Sequence, residues 1–131
     1  MRSLKEHYVI ARLMGLSTIS PGELLALAQT ASATVFDVNS LPSWQRAHVP
    51  SARHLDPTRF QWGDLPQDRS AALVFYCSNP LCRKAPLAAR RARELGYTNV
   101  RVMSAGIQGW LAARLPIESG ESLPQADKAR A

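Results

Sequence analysis

At 131 residues, with 46% hydrophobic and 20% charged residues, the chain has room for one cored domain and not for two. Its net charge of +6 falls on basic residues that are not interleaved with aromatics and show no zinc-finger or helix-turn-helix spacing, so no nucleic-acid partner is expected. No apolar run is long enough for a membrane span, and the charged first seven residues, with Arg12 cutting the apolar patch Tyr8-Val9-Ile10-Ala11, argue against a signal peptide.

In chain order, residues 4–14 place Leu4, Tyr8, Ala11 and Met14 on one stripe, which predicts an amphipathic helix stopped at Gly15. Residues 1–16 are read as an N-terminal helical extension. Ser20-Pro21-Gly22-Glu23 is a helix start, with Ser20 as cap, Pro21 in the first turn and Glu23 completing a capping box. Leu24, Leu25, Leu27 and Ala28 supply its apolar face. Thr34-Val35-Phe36-Asp37-Val38 is a short strand with a carboxylate near its end. Residues 41–46 predict a short helix, 48–52 a turn, and 57–71 mostly loop. The unbroken apolar run at 72–76 predicts a strand buried on both faces, as in a parallel sheet. Then comes a helix with Ala85, Ala88, Ala89, Ala92 and Leu95 inward and Gly96 after its end. A strand at 100–103 and a helix at 107–114 follow, and the polar stretch 119–131 reads as a disordered tail. Alternating strands and helices predict an α/β sandwich around a mostly parallel sheet, with helices on both faces. Functional loops of such sheets lie at the carboxyl ends of strands.

Both cysteines lie in one loop, Tyr76-Cys77-Ser78-Asn79-Pro80-Leu81-Cys82-Arg83-Lys84. Cys77 ends the strand and a helix begins soon after. Loop amides and the positive helix end are both expected to lower its pKa and make a reactive thiolate. Two cysteines placed this way point to chemistry in a reducing, cytoplasmic setting, not to a structural staple. No second ligand pair with zinc spacing exists, so no metal is expected. Arg83, Lys84, Arg90, Arg91 and Arg93 form either a solvated helix face or a positive field that draws small anions to the loop.

Several short motifs, in order, are similar to the single-domain rhodanese family of sulfurtransferases over residues 18–118. Asp37-Val38-Asn39 stands where the family has Asp-Val-Arg, and Ala47-His48-Val49-Pro50-Ser51-Ala52 resembles Gly-His-Ile-Pro-Gly-Ala. The strand ending in Tyr76-Cys77 matches the one before the family's active cysteine. Gly96-Tyr97-Thr98-Asn99-Val100, Ala105-Gly106-Ile107-Gln108-Gly109-Trp110 and Leu115-Pro116-Ile117 follow in the family's order. The resemblance implies a rhodanese-like three-layer domain over 17–118. It also implies a persulfide carried on Cys77, with no organic cofactor. The donor would be a small sulfur anion such as thiosulfate, and the acceptor a thiol or a protein.

Three departures matter. Asn39 replaces an arginine and Ser43 a glutamate, which together read as a lost ion pair. The cysteine loop is about two residues longer than usual and holds Pro80 and Cys82, as in a Cys-x-x-x-x-Cys branch of the family. Amides of Ser78, Asn79, Leu81, Cys82 and Arg83 are expected around the Cys77 sulfur, with Arg83 or Lys84 on the donor's oxyanion. Cys82 is either a resolving thiol that closes a disulfide or a small packing residue. Asp37 is expected to support neighbouring loops, and His48 to anchor a turn. Two other functions fit the loop. One is oxyanion chemistry of a phosphatase or arsenate reductase on Cys77-x-x-x-x-x-Arg83, against which stand Pro80, which lacks an amide, and Tyr76 in place of a histidine. The other is a non-catalytic sulfur carrier or redox switch using Cys77 and Cys82.

Overall fold

A computed structural model describes residues 9–120. Its elements are α1 (Val9–Leu13), β1 (Ser17–Thr18), α2 (Pro21–Gln29), β2 (Thr34–Asp37), α3 (Leu41–Arg46), β3 (Arg53–His54), a 3-10 turn (Trp62–Asp64), β4 (Leu73–Tyr76), α4 (Lys84–Glu94), β5 (Val100–Val102) and α5 (Gly106–Ala112). The predicted helix over 4–14 and the tail at 119–131 both reach beyond the described residues; within them α1 spans only 9–13 and residues 118 and 120 are hydrogen-bonded to the body.

The five strands form one sheet in the order β1-β5-β4-β2-β3, and every pairing is parallel. Strand periodicity sorts β4 between two cores. Leu73, Phe75 and Cys77 join Phe36, Val38, Tyr97, Val102 and the alanines of α4 on one face. Val74 and Tyr76 join Leu24 of α2, Val35, Met103 and Trp110 of α5 on the other. Helices thus cover both faces, which makes three layers. The small face of α4 is what lets the helix lie close on β4 and β5: Ala85, Ala88, Ala89 and Ala92 are each at most 1% exposed. Ala11 and Leu16 are buried in the same core as Cys77, so the chain from Ala11 onward is part of this body.

Local signals set the element ends. The Ser20 hydroxyl accepts from the Glu23 amide at 3.2 Å and the Glu23 carboxylate accepts from the Ser20 amide at 3.0 Å, a complete capping box. Gly96, at φ +102°, ends α4 in a left-handed conformation. Arg93 donates to the Gly15 carbonyl at 2.8 Å and Arg91 to the Phe60 carbonyl at 3.1 Å. Both sit in the last turn of α4, roughly 10 Å from its start. These two arginines therefore brace the far end of the helix rather than charge the cysteine loop.

Chain order reverses direction across the sheet between β2 and β4, because β3 lies outside β2 while β4 lies on its inner side. The carboxyl ends of β2 and β4 therefore open into a crevice, the usual ligand position in such sheets. The loop that follows β4 is pinned there by α5. Ile107 N–H donates to the Cys77 carbonyl at 2.9 Å and Gln108 N–H to the Ser78 carbonyl at 3.0 Å. Gly106 permits the approach: its φ is +69°, and a Cβ there would stand 2.5 Å from the Ser78 backbone.

Gly106→Ala should therefore destabilise the domain by more than about 2 kcal/mol, from left-handed strain and backbone overlap together. Gly22→Ala, where an added Cβ meets nothing within 4 Å, should be neutral or stabilising by up to about 1 kcal/mol. Chemical denaturation of the two variants checks both.

Candidate functional site

Cys77 is the first residue after β4, and its side chain continues the strand's inward alternation, which leaves it 3% exposed. Its thiol donates to the Cys82 carbonyl at 3.6 Å, and its sulfur accepts from the Ala85 amide at 3.4 Å. Ala85 is in the first turn of α4, where amides have no partner within the helix. The Ser78 amide also faces the sulfur. The loop is curled, not extended, so Cys82 lies beside Cys77 and its carbonyl takes the Cys77 S–H. Both are free thiols.

The cradle is thus smaller than the sequence led one to expect. The Leu81 amide donates to the Asn79 side chain at 2.9 Å and the Cys82 amide to the Asn79 carbonyl at 3.1 Å. A tight turn around Pro80 consumes those two donors. The expected acidification of Cys77 is also corrected. Burial in the core pushes its thiol up to about 12, and the hydrogen bond it gives to Cys82 adds to this; the Ala85 and Ser78 amides offset only part. Cys82 is shifted the other way. Its partial burial is outweighed by the neighbouring Cys77 thiol, the amides of Lys84 and Ser78, and the Lys84 charge, which together lower its pKa below the ordinary 9.0. Cys82 is thus the more acidic thiol of the pair.

Two cavities border the loop. One holds about 10 Å³ and is lined by Cys77, Cys82, Asn79, Pro80, Ser104 and, from α1, Ala11 among others. The second is an open groove of about 430 Å³, lined by Asn39, Ser40, Leu41, His54, Asp56 and Lys84 among others. Lys84 therefore faces a cavity, whereas Arg83 is exposed and lines neither. Among the described residues no cluster of three or more His, Cys, Asp or Glu is arranged to hold a metal, and no helix is long and apolar enough to cross a membrane.

Asp37 is fully buried at the end of β2 and accepts from the Asn39 amide at 2.9 Å. Desolvation raises its pKa, against bonds from Tyr76 and Asn39 that lower it. It shapes the β2 loop and lines neither cavity. His48 stacks on Trp44 at 4.3 Å and donates from Nδ1 to the Trp44 carbonyl at 2.7 Å, which anchors its turn.

Three site features escaped sequence reasoning. Asn39 is more than the remnant of a lost ion pair: its side-chain oxygen accepts from the Ser78 hydroxyl at 2.7 Å, tying the β2 and β4 loops together across the crevice. Its place just past a strand-end aspartate was the available signal. Ser43, its presumed former partner, instead accepts from Arg46 at 3.1 Å. The Ala85 amide was hidden because amides carry no sequence signature. Ser104 follows β5 and is 7% exposed; only its position at a strand's carboxyl end marked it.

Comparison with known proteins agrees with this architecture. A family model for the rhodanese-like domain matches residues 20–113. The human thiosulfate:glutathione sulfurtransferase is 28% identical over 113 residues, covering 76% of this chain and 96% of that protein. A thiosulfate sulfurtransferase from Pseudomonas aeruginosa superposes with a TM-score of 0.71 and 21% identity over 80% of this chain and 20% of that one. A protein of unknown function from Rhodopseudomonas palustris, described as a possible tyrosine phosphatase, superposes with a TM-score of 0.69 and 20% identity over 90% and 96%. At these identities the two structures speak for the fold alone, but the family model spans most of the chain, and the chain belongs to the rhodanese-like domain family.

Proposed function

We propose that the protein is a sulfurtransferase in which Cys77 carries a sulfane sulfur from a small anionic donor, such as thiosulfate, to a thiol acceptor. The observation that carries this reading is the cavity of about 10 Å³ bordered by both thiols. It is close to the least space that holds one water-sized particle. One added sulfur atom suits it and a tetrahedral phosphoryl group does not.

The reaction balances without a redox cofactor. Cys82 takes the Cys77 proton as the donor enters. The Cys77 thiolate attacks the outer sulfur of thiosulfate; a sulfur–sulfur bond forms, the bond to the sulfonate sulfur breaks, and sulfite leaves with the electron pair. An acceptor thiolate then attacks the outer sulfur and the Cys77 thiolate leaves. Lys84 faces the open groove, where its charge would hold an anionic donor or acceptor. A groove of about 430 Å³ accommodates a small peptide thiol, in keeping with the glutathione named for the human relative. A reducing compartment such as the cytoplasm would keep both thiols free.

A second reading is a dithiol switch. It is favoured by the two thiols bordering one small cavity, with the Cys77 S–H on the Cys82 carbonyl, a neighbourhood that suits the exchange in which the Cys82 thiolate attacks the inner sulfur of the Cys77 persulfide, forming a disulfide and releasing hydrosulfide. Phosphatase chemistry is disfavoured, because Pro80 offers no amide and those of Leu81 and Cys82 are committed to Asn79.

Incubated with thiosulfate, the wild type should gain one sulfur on Cys77 by mass spectrometry and Cys77→Ser none. Cys82→Ser should load at least about tenfold more slowly through loss of its base, yet hold the sulfur once loaded. A wild type that forms the disulfide but shows no turnover with thiosulfate and cyanide favours the switch. Aryl phosphate hydrolysis should not exceed that of Cys77→Ser. With iodoacetamide near pH 8, Cys82 should be modified first. Cys77 should follow only as pH rises above its ordinary value of 9.0 toward about 12, because a raised thiol pKa withholds the thiolate until then.

A further inference from the structure

Ser104 presents a buried hydroxyl with nothing to bond. Its side-chain oxygen has no hydrogen-bond partner, although the residue is only 7% exposed. Buried polar groups are satisfied as a rule, and an orphan costs about 1–3 kcal/mol. Ser104 also lines the small cavity that Cys77 and Cys82 border. Among the other lining residues, Ala11, Ala85, Pro80, Pro86, Val102 and Met103 are apolar side chains, Cys82 is a thiol, Asn79 has its side-chain oxygen on the Leu81 amide, and the Ala85 amide already faces the Cys77 sulfur itself.

We propose that Ser104 is a catalytic residue whose hydroxyl donates to the outer sulfur of a Cys77 persulfide seated in this cavity. This rests on the sulfurtransferase reading above. When thiosulfate gives up its outer sulfur and sulfite departs, the persulfide is formed as an anion with its charge on the terminal atom. That atom lies about 2.05 Å beyond the Cys77 sulfur, within the space Ser104 lines. An anion in so dry a place needs a donor, and bonds to charged acceptors are the strong ones. The Ala85 amide would hold the inner sulfur and Ser104 the outer one. The orphan hydroxyl of the resting protein then has its partner in the loaded one, the preorganised arrangement that favours an intermediate over the ground state.

Ser104→Ala separates this role from a structural one. The full chain would be equilibrated with fixed thiosulfate and sulfite, and the ratio of persulfidated to free Cys77 read by intact mass alongside thermal melting. The expected result is a ratio about tenfold lower than wild type, with a Tm that is unchanged or higher, since no bond is lost in the resting state. An unchanged ratio overturns the proposal, and so does a fall in ratio that tracks a lowered Tm. If wild type and Ser104→Ala both take up no sulfur from thiosulfate, the persulfide reading fails and the role of Ser104 fails with it. If the wild type loads and Ser104→Ala matches it, only the role of Ser104 is lost.

Discussion

The site depends on the seam where the start of α5 meets the cysteine loop. The Ile107 and Gln108 amides, left unpaired by the helix itself, hold the Cys77 and Ser78 carbonyls. The seam closes only because residue 106 has no side chain and adopts a positive φ. Cys77 is thereby fixed from behind, and the strand's alternation then forces its sulfur inward against α4. Two further ties hold the loop laterally: the Ser78 hydroxyl on Asn39 and the Ala85 amide on the sulfur. The contacts that position Cys77 thus come from α5, the first turn of α4, the β2 loop and the Cys82 carbonyl.

This placement has a chemical cost. A thiol at the end of a buried strand is hard to ionise, and here burial outweighs the amides that face it. The protein's answer lies in the neighbouring residue. Cys82, half-buried near Lys84, is the more acidic of the pair. In the proposed reaction, a dry nucleophile with a wetter base beside it would combine low solvation of the reacting atom with access to a proton acceptor. The same dryness limits the space beyond the sulfur to roughly one atom, so the environment that hinders ionisation also restricts what can be attached.

Much of the architecture was legible in the chain. The capping box at Ser20, the apolar run at 72–76, the alanine face of α4 and the glycine at 96 are local patterns whose physics is decided within a few residues; the cap, the alanine face and Gly96 appear where those patterns place them, and the strand forms over 73–76. The pairing of Cys77 with the loop was also legible, because both cysteines lie in one short segment. What the sequence did not reveal depends on long-range placement. The pKa order of the two thiols is set by core burial. The Asn39–Ser78 bond joins residues in the loops after two different strands, and the diversion of the Leu81 and Cys82 amides to Asn79 follows from how one turn closes. Ser104 became visible only when the cavity and its missing bond were seen together.

The cysteine loop is held at both ends, by α5 at its start and by the first turn of α4 at its finish, while Leu81 between them stands 77% exposed. Residues added between two such anchors bulge outward rather than displace them. Lengthening there would therefore change the rim of the site and not the surroundings of the Cys77 sulfur. Insertions and substitutions there would alter which molecules can approach while the distance from sulfur to amide stays put. A domain built in this way can acquire new clients by remodelling a few exposed positions, with the buried machinery and its folding left as they are.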